Sequence, residues 1–130
     1  MLDELSDNVV IESPEGSFTI DNFRCVDFPE DGIKMHLAFD VKVKVGEYSF
    51  STTFTEMPSW QFDFNLGENV IVDENNQGRR LIIGKDYVSL IVDEEKDLTK
   101  LKINLTINFS KDKVDDFKVL LNAYAVWVLK

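Results

Sequence analysis

The chain has 130 residues, 44% of them hydrophobic and ten of them Phe, which suits one domain with a filled core and excludes disorder. Its net charge of -10 disfavours nucleic acid and anionic membrane as partners, since both select basic surfaces. A single cysteine, Cys25, rules out an intrachain disulfide and points to a reducing compartment.

The opening residues Met1 to Asp7 have neither a basic segment nor an apolar one, so no secretory signal is expected and the chain reads as cytoplasmic. Residues 1–31 hold nine acids against one base, Arg24, and so carry -8 of the net -10. Residues 1–16 are weakly patterned and read as an acidic N-terminal arm of a single domain spanning 1–130.

After the turn at Pro14, Glu15 and Gly16, residues Ser17 to Phe28 read as a strand with Phe18, Ile20, Val26 and Phe28 on one face. Asn22 and Arg24 interrupt that stripe, which predicts a bulge or an edge position. Pro29 to Gly32 is a turn by composition. Residues 33–45 then place an apolar side chain at every odd position, the pattern of a long strand with one dry face and one wet face.

Gly46 and Glu47 predict a two-residue hairpin loop. That loop pairs Val45 with Tyr48, Val43 with Phe50 and Phe39 with Phe54, while Lys44 and Lys42 face Ser49 and Ser51. The register set by the turn is the one the hydrophobic pattern requires.

Beyond the break at Met57 to Ser59, Trp60, Phe62, Phe64 and Leu66 resume alternation. A short strand is expected at Asn69–Asp73, then a loop at Glu74–Gly78. Arg79–Ile83 and Asp86–Val92 form one bent strand or two, divided at Gly84, and Asp93–Asp97 reads as an acidic turn. Thr99–Phe109 alternates again, with Leu101, Ile103, Leu105, Ile107 and Phe109 inward.

The period then changes. Val114, Phe117, Leu121, Tyr124 and Val128 recur at helical spacing behind Ser110 as N-cap, predicting a helix from 111 to about 123. Residues 124–129 suit either a helix or a last strand. The sum is a mainly β domain: an antiparallel sandwich or curved barrel-like sheet of about seven to nine strands with one C-terminal helix.

No residue set predicts catalysis, a metal or a cofactor. The one histidine, His36, lies on the outward face of its strand with Asp40 about 13 Å along at strand rise, which makes no dyad. Cys25 reads as a small buried hydrophobe. One His and one Cys do not make a zinc site. Asp73 to Gly78 imitates the start of a calcium loop, but Gly84 stands where its bidentate Glu belongs and the flanks read as strands. Lys34, Lys42, Lys44, Lys100 and Lys102 would form a basic stripe if their two strands shared a sheet.

The strand count in a chain of this size resembles that of small intracellular lipid-binding barrels, although their helical pair has no counterpart here. Phe39, Tyr48, Phe50, Phe54, Trp60, Phe62, Phe64 and Phe109 fall on apparent core faces. In a closed barrel so aromatic a lining gives the alternative reading, a carrier of a small apolar ligand with Trp60, Phe62 and Phe64 at its mouth or lining. The reading set ahead of it is a non-enzymatic interaction domain whose acidic surface engages a basic protein such as a toxin, with no nucleic acid, membrane or cofactor involved. The acids nominated are Asp3, Glu4, Asp7, Glu12 and Glu15 in the arm, with Asp93, Glu94, Glu95 and Asp97 in the later turn.

Overall fold

Alternation dictates the first sheet, whose four antiparallel strands lie in chain order: β1 (Asn8–Ser13), β2 (Gly16–Phe28), β3 (Ile33–Val45) and β4 (Tyr48–Glu56). The computed structural model describes residues 8–28, 33–56, 67–73, 78–96 and 98–129. The β3–β4 hairpin has the expected register, from Val45 opposite Tyr48 to Phe39 opposite Phe54. Gly46 opens its loop at φ 58°, a left-handed conformation that glycine adopts without strain.

Residues 8–13 correct the expectation of a weakly structured arm over 1–16. They pair with β2 from Asn8 opposite Asp21 to Ser13 opposite Gly16, and Val9 and Ile11 are buried. The short stripe Val9, Ile11 was too brief to stand out from its polar flanks, but it completes a sheet edge.

In β2 the expected bulge is present. The pairing steps from Asp21–Asp40 to Arg24–Ala38, so Asn22 and Phe23 together oppose Phe39. Asn22 takes φ 55°, a conformation asparagine tolerates better than most residues. The extra residue reverses the alternation, so Phe23 turns to the core and packs against the Phe39 ring at 5.9 Å. Farther along the ladder Val26 pairs with His36 and Phe28 with Ile33, with a second register shift between them. The side chains of Val26 and Phe28, expected on the even-numbered stripe, lie outside what the structure describes.

The second sheet is also antiparallel and in chain order: β5 (Asn69–Val72), β6 (Arg79–Ile83), β7 (Tyr87–Lys96) and β8 (Thr99–Asn108). Residues 79–92 thus form two strands of a hairpin, with Gly84 N–H donating to the Tyr87 carbonyl at 2.9 Å. β7 runs through Lys96, which corrects the acidic turn expected at 93–97: Asp93 pairs with Lys102 and Glu95 with Lys100. Opposite charges on neighbouring strands make those acids acceptable in a ladder. β3 and β8 lie in different sheets, so the five lysines form no common stripe.

The helix α1 (Lys111–Leu129) resolves the choice over 124–129 in favour of helix. Ser110 caps it, its Oγ accepting from Lys113 N–H at 3.3 Å. Val114, Phe117 and Leu121 are buried, and Lys118 is buried on the same stripe. The helix packs on β1, β2, β3 and β7, and Lys113 Nζ donates to the Glu12 carbonyl at 2.8 Å.

The core between the sheets joins Ile11, Phe18, Ile20, Phe39, Val41 and Phe54 to Ile71, Leu81, Ile83, Leu90 and Ile107. Phe39 and Phe54 stack at 5.7 Å across the hairpin. Phe18 meets Phe109 edge-on at 6.5 Å, tying the first sheet to the end of the second. Tyr48, expected inside, is 79% exposed because the hairpin tip projects beyond the core. The turn at Pro29–Gly32, the strand at Trp60–Leu66 and the loop at Glu74–Gln77 fall outside the described residues.

Candidate functional site

Alternation that sends Val9 and Ile11 inward sends Glu12 to the outer face of β1, and the β1–β2 turn presents Glu15; both are exposed. Asp3, Glu4, Asp7 and Asp97 lie outside the described residues. In β7 the same alternation separates the nominated acids. Asp93 and Glu95 are exposed on one face opposite Lys102 and Lys100, and Glu94 turns to the other. The nominated residues do not share a sheet, since Glu12 belongs to the first and Asp93–Glu95 to the second. Among the described residues, Glu12 and Glu15 lie on adjoining parts of one hairpin, and Asp93 and Glu95 share a face of β7.

Glu94 is committed elsewhere. Its carboxylate accepts from Arg79 Nε, and Arg79 also lies 3.8 Å from Asp73, whose side chain is 2% exposed. Asp73 Oδ1 in turn accepts the Thr55 N–H of β4 at 3.0 Å, and Arg79 donates to the Thr53 carbonyl at 3.4 Å. Asp73, Arg79 and Glu94 thus form a polar seam that fastens the second sheet to the edge strand of the first. Asp73, which imitates the start of a calcium loop in sequence, is a structural carboxylate here. Nothing in the local sequence marks the seam, because β4 lies about 20 residues from Asp73 along the chain.

The outer face of the first sheet carries a second polar network. Lys42 donates to Asp21 at 2.9 Å, which raises its pKa above the ordinary lysine value. Asp40 accepts from Thr53 at 2.8 Å and from Asn22 at 3.1 Å, with Arg24 at 3.6 Å. Partial burial pushes the Asp40 carboxyl up, but the bonds from Thr53 and Asn22 and the charge of Arg24 outweigh it, leaving the pKa below 3.8. The bulge builds this network, since it puts Asn22 and Arg24 beside Asp40.

In the second sheet, Tyr87 donates to Glu68, and that bond raises the phenol's pKa above its usual value of 10.0. Ser89 and Thr106 bond across β7 and β8 at 2.7 Å. Among the described residues no group of three or more His, Cys, Asp and Glu side chains could hold a metal ion.

The side chains of His36 and Cys25 lie outside what the structure describes, as do Trp60, Phe62 and Phe64, the lining expected of a carrier. The described interior is occupied by packed side chains, Phe18, Phe39, Phe54 and Leu90 among them. Among the described residues no helix is long and apolar enough to cross a membrane. No protein-family model, curated protein or solved structure matches this chain.

Proposed function

We propose that the protein is a non-enzymatic, cytoplasmic interaction domain that engages a basic protein partner through the acids of its N-terminal part. The observation that carries the reading is where the charge is not balanced. Several strand-face carboxylates are matched: Asp21 by Lys42, Asp40 by Arg24, Glu94 by Arg79, while Asp93 and Glu95 stand opposite lysines. Residues 1–31 nonetheless carry -8 of the net -10. Of the acids behind that excess, Glu12 and Glu15 are exposed on the β1–β2 hairpin, and Asp3, Glu4 and Asp7 precede them in the sequence. A concentrated negative patch speeds encounter with a basic surface and discriminates among partners.

Of the acids on β7, Asp93 and Glu95 contribute less to this reading than their clustering in the sequence implies, because each faces a lysine across the ladder. The test is capture of partners from the source cells at low and high salt, repeated with a Glu12→Lys, Glu15→Lys variant. A basic polypeptide should be retained at low salt, released at high salt and lost by the variant. Retention indifferent to salt would count decisively against the proposal.

A further inference from the structure

The outer face of the first sheet divides into two halves. At one end Asn22, Arg24, Asp40 and Thr53 are bonded to one another. At the other, Ser17, Thr19, Lys44, Ser49 and Ser51 make no side-chain hydrogen bond or ion pair among the described residues. These five residues, with Lys42, Val43 and Phe50, line an open hollow of about 360 Å³.

Register explains its shape. Two rows cross the three strands, Ser17–Lys44–Ser49 and Thr19–Lys42–Ser51. Each lysine stands between two short hydroxyl side chains, with neighbouring strands about 4.8 Å apart and the rows about 7 Å apart. Short flanks around long lysines leave a trough, whose lining joins those polar side chains to the apolar surface of Val43 and Phe50.

The charges are unequal. Lys42 is held by Asp21 at 2.9 Å, whereas Lys44 has no carboxylate partner among the described residues, and none of the lining residues is acidic. The hollow therefore offers one uncompensated ammonium amid hydroxyls, each able to donate and accept. Beyond it, Glu12 extends the Ser17–Lys44–Ser49 row on β1 and Glu47 sits exposed in the adjoining turn. Those acids and the net charge of -10 repel a polyanion but tolerate a small ligand with one anionic group.

We propose that this hollow binds a sugar-like polyol bearing a single oxyanion ester, phosphate or sulfate, with the oxyanion on Lys44 and the polyol hydroxyls on Ser17, Thr19, Ser49 and Ser51. The site adjoins the acidic hairpin patch, since Glu12 pairs with Ser17, but it uses Lys44 and the hydroxyls and stands whether or not that patch binds a protein.

The test is amide NMR of the full chain titrated with glucose 6-phosphate, glucose 6-sulfate, glucose and inorganic sulfate. Either ester should give saturable shifts confined to residues 17–19, 42–44 and 49–51, at lower concentration than glucose or sulfate alone. Which ester binds more tightly identifies the anion. Lys44→Ala should weaken binding about tenfold, the loss of one charge-assisted bond, with the spectrum elsewhere unchanged. Lys44→Arg should retain binding, and Ser49→Ala with Ser51→Ala should weaken the esters but not inorganic sulfate. Absence of saturable shifts, an ester no better than the bare ion, or an unaffected Lys44→Ala variant would each overturn the proposal.

Discussion

The molecule twice sets an arginine among carboxylates, and the two settings differ in what surrounds them. Arg24 meets Asp40 on the outer face of the first sheet, where the two side chains are 37% and 26% exposed. Arg79 meets Asp73 and Glu94 at the junction of the sheets, where Asp73 is 2% exposed and also holds the Thr55 amide. In the first setting water screens the pair and would solvate either partner left alone. In the second, removing the arginine leaves a buried carboxylate short of a counter-charge. The same residue types are thus adjustable trim in one place and a structural fastening in the other.

The largest expected effect tests this contrast directly. Arg79→Ala should lower the unfolding free energy by about 3 kcal/mol in urea denaturation. Arg24→Ala should cost at most about 1 kcal/mol in the same assay. Equal losses would remove the distinction. Next in size is the bulge that builds the outer network: Asn22→Ala should destabilise by about 1 kcal/mol because alanine resists the left-handed conformation, while Asn22→Gly should be tolerated.

A smaller effect concerns acid. The Asp40 pKa is lowered in the folded state, so its contribution is full above its unfolded pKa and is lost as pH falls through the folded value. The wild-type chain should therefore shed stability below about pH 3.8, and Asp40→Asn should flatten that part of the pH profile. A parallel pH dependence in the variant would show that the network does not act through Asp40. Last, Lys42→Ala should leave the denaturation midpoint unmoved, because its ion pair with Asp21 is exposed on the lysine side.

What the sequence made legible follows the range of the forces involved. The β3–β4 register could be read because a period of two and a two-residue loop gave the same answer. The N-cap at Ser110 and the first turns of α1 are equally local. The direction of Phe23 was lost because a stripe that skips one residue looks like a broken stripe; its partner Phe39 lies across a hairpin. Asp93–Lys96 looked like a turn because acids are rare in strands, and only the opposing Lys100 and Lys102 make them fit. Of the binding residues nominated, Glu12 and Glu15 stand together, but Glu94 does not stand with them because Arg79 claims it. The Asp73–Arg79 seam depends on which strands become neighbours, and no local pattern encodes that. Of the trough around Lys44 the hairpin register gave the lysine–serine pairs, and the Ser17 and Thr19 side came only with the fold.

The seam also has a consequence for how the molecule behaves in a crowd. Among the described residues β4 has one ladder neighbour, β3, and a bare edge would offer its amides and carbonyls to any passing strand. At two points that edge is already spoken for: the Thr55 N–H by the Asp73 carboxylate and the Thr53 carbonyl by the Arg79 guanidinium. Two side chains imitate the donor and acceptor of a missing strand and occupy the template. Loss of either would unseal a pairing surface, so Arg79→Ala should aggregate on storage at concentrations where the wild-type chain stays monomeric.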